Sequence, residues 1–118
     1  MQYGLKVCDL AAALARLGGN YTLLREIAEF FRDDSPKLIE RMKNALARSD
    51  GTDLHRAAHS LRGLVVNFYA EATDSAARDV EQIGQAGNFT QAGPAVERLE
   101  QEIGRLAKEL NATLARPS

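Results

Sequence analysis

Apolar residues recur along this chain at intervals of three and four, and nowhere do they alternate with polar ones over the length of a strand. That period belongs to amphipathic helices. One stripe runs Leu54, Ala58, Leu61, Val65, Phe68, and another runs Val96, Leu99, Ile103, Leu106, Leu110, Leu114. Breakers divide the remainder. A first helix over about residues 9–17 ends at Gly18-Gly19, and Asn20 can cap a second, through about residue 32, that buries Leu24, Ile27 and Phe31. Ser35-Pro36 then restarts the chain, because proline is well tolerated in the first helical turn. The third helix reaches about residue 49 and buries Leu38 or Ile39, Met42, Ala45 and Leu46. Asp50-Gly51 ends it. Thr52 is placed to cap a fourth helix through about residue 69, and a fifth covers about residues 72–85 with Ala76, Val80 and Ile83 inward. The last begins near Gly93-Pro94.

Short links between long amphipathic helices favour antiparallel neighbours. The expected fold is therefore all-α: an antiparallel up-and-down four-helix bundle, with two additional short N-terminal helices covering one end. With 118 residues, 45% of them hydrophobic, the chain suffices for one domain with a single modest core, and Arg116-Pro117-Ser118 reads as a frayed tail.

Charge and composition narrow the function. Fifteen basic residues against sixteen acidic ones give a net charge of −1, without the cationic excess that displaces counterions from nucleic acid. Aromatic residues make up 6% and tryptophan is missing, so base-stacking platforms are not expected either. The lone Cys8 cannot form an internal disulfide, which fits a reducing compartment, and it reads best as a small hydrophobe. The stretch 1–15 has the outline of a leader peptide, but Asp9 interrupts it and Leu10, Leu14 and Leu17 follow helical spacing instead. No run approaches the ~18 apolar residues of a membrane span. A cytoplasmic location is expected, with no membrane contact by this domain, whether it stands alone or is the cytoplasmic part of a membrane-bound kinase.

Candidate chemistry centres on His59. At about 100° per residue His59 lies roughly 140° from the centre of the fourth helix's apolar stripe, Gly63 roughly opposite it, and Arg62 on its flank. This histidine is displayed, not packed. Arg62, one turn on, can set positive charge beside an anion held there, and Gly63 removes bulk where a macromolecule would approach. A mid-helix glycine costs ~1 kcal/mol relative to alanine, and its alternative use is to relieve crowding between helices. His55 and His59 also have the four-residue spacing of a zinc pair, but Arg56 stands where the zinc-protease pattern needs glutamate, and no metal site is expected.

The pentad His59-Ser60-Leu61-Arg62-Gly63 resembles the His-x-Leu-Lys-Gly signature of histidine-containing phosphotransfer (HPt) domains, the carrier modules of multistep phosphorelays. The likeness extends along nearly the whole chain. Ala57-Ala58 and Asn67-Phe68 match common family forms, Val80-Glu81 sits where the family usually has Leu-Glu, and Ala13 to Gly19, Glu26-Ile27-Ala28 and Asp34-Ser35-Pro36 are similar to modules of hybrid sensor kinases. The resemblance implies that His59 is the phosphoacceptor, exchanging the group with aspartates of response-regulator receiver domains. It implies no cofactor of its own, since the receiver brings Mg²⁺ and a lysine. It makes Arg62 the cation that stabilises phosphate charge, and Glu81 the residue that orients the ring; the alternative for Glu81 is a solvated helix charge. Docking would centre on His59, Arg62, Gly63 and Val66, border on His55, and extend to Leu10 or Ala13. The domain would be a monomeric carrier rather than an autonomous enzyme.

Several positions depart from the family pattern. Arg62 replaces the usual lysine, Tyr69 replaces a glycine, and Leu64, Val65 and Val66 replace mostly small or polar residues. Tyrosine at 69 implies a wider helix crossing or a ring lying over the surface, and Val66 would touch a docked receiver. A sensor-kinase dimerisation domain is a rival, but it would have an acidic residue after the histidine and a proline soon afterwards; here Ser60 follows, and the stretch from there to Ala92 is free of proline. The other alternative is a degenerate HPt-like scaffold that binds partners without phosphotransfer.

Overall fold

The computed structural model describes residues 7–114. The expected tail at Arg116-Pro117-Ser118 and the first six residues of the leader-like stretch lie outside them. Five helices follow in order: α1 (Leu10–Arg16), α2 (Tyr21–Ala47), α3 (Gly51–Val65), α4 (Glu71–Ala86) and α5 (Phe89–Leu114), with a 3₁₀ turn (Val66–Phe68) between α3 and α4. No strand occurs among the described residues. Each long helix packs on its neighbour in sequence, and α2 closes the ring against α5, giving the four-helix bundle.

Among the described residues one short helix, not two, covers the bundle's end, because the chain does not break at Ser35-Pro36. Helix α2 runs through Pro36, and its buried stripe is continuous: Leu24, Ala28, Phe31, Ser35, Ile39, Met42, Ala45. Pro36 removes a hydrogen bond to the carbonyl of Arg32, but both residues lie on the exposed face, where water can satisfy that carbonyl. The same holds at Pro94, which sits inside α5 rather than near its first residue. Helix α3 begins at Gly51 because the Asp50 side chain, not Thr52, accepts from the Asp53 backbone N–H. Asn20 caps α2 through the Leu23 N–H.

The stripes Leu54–Ala58–Leu61–Val65–Phe68 and Val96 to Leu114 are buried throughout. Ile27, Leu38, Leu46 and Ile83 are only partly buried, at the rim of the core. Phe31 and Phe68 meet edge to face with ring centroids 5.9 Å apart, beneath α1, which is tied down by the Asp9 N–H donating to the Phe68 carbonyl at 2.9 Å. Beyond Phe68 the chain turns at Tyr69 with φ 53, the left-handed conformation. This accounts for the preference for glycine at that position. Tyr69 is 43% exposed, so the ring lies over the surface.

Candidate functional site

Helices α3 and α4 approach at backbone distance. A Cβ at Gly51 would run into the Gly84 carbonyl oxygen, and a Cβ at Gly84 would stand 3.0 Å from both the Gly51 oxygen and the His55 nitrogen. Ala57 and Ala58 are among the buried residues of α3, and Ala76 and Ala77 among those of α4. Small residues let the two helices come close, so side chains of α3 can bond directly to carboxylates of α4.

His59 stands on the outer edge of this seam, its side chain 73% exposed, as the wheel geometry requires. Across from it Glu81 is 5% exposed, although a glutamate ordinarily faces water. The ring Nδ1 of His59 lies 2.6 Å from Glu81 Oε2, while Arg62 Nη1 donates to Glu81 Oε1 at 2.5 Å. Burial pushes the Glu81 carboxyl upward, but the hydrogen bonds from Arg62 and His59 outweigh it and hold the group below the ordinary carboxylate range. Glu81 is therefore ionised at neutral pH and can only accept. The proton of the neutral ring must sit on Nδ1, which leaves the Nε2 lone pair facing outward.

His55, one turn back, repeats this arrangement with a weaker acceptor. Its Nδ1 donates to the Glu81 backbone oxygen at 3.0 Å, and its ring lies parallel to that of His59 with centroids 6.4 Å apart. Among the described residues no group of three or more potential ligands is arranged to hold a metal ion.

Arg62 is committed rather than loose. Besides Glu81 it donates from Nε to Asp74 Oδ1 at 3.0 Å, and these bonds, Glu81 first, raise its already high pKa. Gly63 is exposed, and a Cβ there would meet nothing, so it relieves no crowding between helices. Val66 is 50% exposed two turns from His59. With Tyr69, Arg62 and Asp74 it lines an open cleft of about 590 Å³ that reaches Arg16 of α1. Ala13 is fully buried and unavailable to a partner; Leu10 is partly buried.

Two parts of this site escaped the sequence reading. Gly84, near the expected end of the fifth helix at about residue 85, is the backbone contact of the seam. Asp74 carries a weak signal in its seven-residue spacing from Glu81, which puts both carboxylates on one face of α4.

A displayed histidine backed by a buried carboxylate on the next helix of a four-helix bundle is the arrangement that the resemblance to phosphotransfer modules implies. The Hpt domain family model matches residues 26–109, and the chain belongs to that family, whose members carry phosphoryl groups in two-component phosphorelays. The fold is similar to that in the crystal structure of histidine-containing phosphotransfer protein B (HptB) from Pseudomonas aeruginosa PAO1, with a TM-score of 0.87. That likeness covers 98% of this chain and 100% of the other at 18% sequence identity, so it speaks to the fold. No curated protein matches the chain. Among the described residues no helix is long and apolar enough to cross a membrane.

Proposed function

We propose that this domain carries a phosphoryl group on Nε2 of His59, taking it from the aspartyl phosphate of one receiver domain and passing it to an aspartate of another. The observation that carries this reading is the 2.6 Å contact between His59 Nδ1 and the buried, ionised Glu81, which fixes the attacking tautomer. In the forward step the Nε2 lone pair bonds to phosphorus as the phosphorus–oxygen bond to the aspartyl group breaks, and that carboxylate leaves as an anion. The proton on Nδ1 stays, so the phosphorylated ring is cationic and Glu81 stabilises it, as the carboxylate does in other histidine–carboxylate pairs. The reverse step restores a neutral imidazole.

Arg62 keeps Glu81 ionised despite its burial and sets a cation one turn from the phosphoryl position. Docking uses the open surface at Gly63 and Val66, bordered by His55. Mg²⁺ belongs to the receiver, and the domain acts as a monomeric cytoplasmic carrier, without an enzyme activity of its own, in a relay of the hybrid-kinase type.

The test mixes the domain with a panel of phosphorylated receivers and follows acid-labile, alkali-stable label. His59→Gln is expected to abolish transfer with unchanged helicity by circular dichroism; transfer that survives it sinks the assignment. A wild-type chain that binds receivers yet takes label from none is the degenerate scaffold.

A further inference from the structure

Arg62 is held from two sides by carboxylates that lie two turns apart on α4. Its Nη1 meets Glu81 Oε1 and its Nε meets Asp74 Oδ1, which fixes the plane of the guanidinium at two separate points. Asp74 is itself held, since its second oxygen accepts from Arg78 Nη2 at 2.8 Å. The result is an ordered row, Arg78, Asp74, Arg62, Glu81, His59, in which cations and carboxylates alternate up to the reactive ring. The end of the row nearest His59 is the dry end: the Glu81 side chain is 6% exposed, against 29% for Asp74 and 30% for Arg62.

We infer that Asp74 is a positioning residue for His59, acting through Arg62 and Glu81. This rests on the phosphoacceptor reading for its consequence, though not for its geometry. Asp74 bonds to Arg62 and Arg78 and not to His59, so it bears on the ring only along the row. Without it Arg62 keeps a single point of attachment and can turn about its own bonds, and the Glu81 oxygen facing Nδ1 loses its fixed direction. A looser Nδ1 bond raises the share of rings carrying the proton on Nε2, the tautomer that has no lone pair to offer there.

The opposing view makes Asp74 a competitor that keeps Arg62 from reaching out to the phosphoryl group. The two views differ in sign. Under the competitor view, removing Asp74 frees the cation and speeds transfer; under the positioning view it slows transfer.

The experiment uses the full chain labelled with ¹⁵N-histidine. Long-range proton–nitrogen spectra of wild type and of Asp74→Ala, Asp74→Asn and Asp74→Glu report the His59 Nδ1 and Nε2 shifts, and thus the tautomer, without any receiver present. Phosphoryl transfer from a phosphorylated receiver is timed in parallel. For Asp74→Ala the expected results are a larger Nε2-protonated share and transfer slowed about threefold to tenfold, the scale of the net contribution of one ordinary hydrogen bond, since the lost bond acts on the ring only through Arg62 and Glu81. Asp74→Asn, close in shape, should fall between, and Asp74→Glu should recover much of the loss; these two decide the matter if the alanine variant folds poorly. Unchanged His59 shifts, or faster transfer, would overturn the inference. Label that persists in His59→Gln would instead defeat the phosphoacceptor reading, leaving the tautomer result to stand alone.

Discussion

Helix α3 presents two edges, both marked by glycine. At the seam with α4 the backbones come so close that Gly51 has no room for a Cβ and Gly84 could take one only if its neighbours gave way. On the open face Gly63 has space all around it, inside a helix where alanine would be the better former. The seam glycines serve the fold, and through it the position of Glu81. The open one gives the folded domain no packing benefit, which fits the docking role proposed for it. Conformation does not separate them, since none of the three has a positive φ; what they touch does.

The largest expected effect breaks the seam. Gly84→Val sets a Cβ 3.0 Å from the Gly51 oxygen and the His55 nitrogen and adds two methyls to that seam, and should cost about 1–3 kcal/mol. A thermal melt should then show a midpoint lower by roughly 5–15 °C; an unchanged midpoint would mean that the helices do not meet there.

Gly63→Ala separates the two edges by sign. It should raise stability by up to about 1 kcal/mol in a urea melt, because helix propensity improves and nothing is crowded. Transfer from a receiver should nevertheless slow, and an undiminished rate would remove the approach role from Gly63.

A smaller effect concerns the carboxylate between the edges. The folded Glu81 carboxyl is held below its unfolded value: burial opposes ionisation, but the bonds from Arg62 and His59 prevail. Its charge therefore adds stability above the unfolded pKa of about 4.3, and that contribution disappears as pH falls through the lower folded value. The stability gap between wild type and Glu81→Gln should be steady near pH ~5 and shrink toward pH ~3. A gap that widened on acidification would mean that the folded value is raised.

What could be read from the sequence follows from what is local. The stripe from Leu54 to Phe68 and the exposure of His59 both depend only on angles around one helix, and both appear in the structure as expected. The break at Ser35-Pro36 did not, because proline is a local signal, and here the buried stripe passing through Ser35 outweighs it. Asp74 and Gly84 depend on how α4 is turned toward α3, and no residue near either one encodes that angle. Glu81 became legible only through the family resemblance; as a lone glutamate it had no reason to be inside.

The absence of slack at Gly51 and Gly84 has a mechanical consequence. A helix advances 1.5 Å per residue, so a slip of α4 by a single residue would exceed the tolerance of a 2.6 Å hydrogen bond. Two facing backbones work as a gauge block: their closest approach is set by atoms that cannot rotate away. The spacing between ring and carboxylate is then a dimension of the scaffold, reproduced each time the chain folds, and not a choice left to flexible side chains.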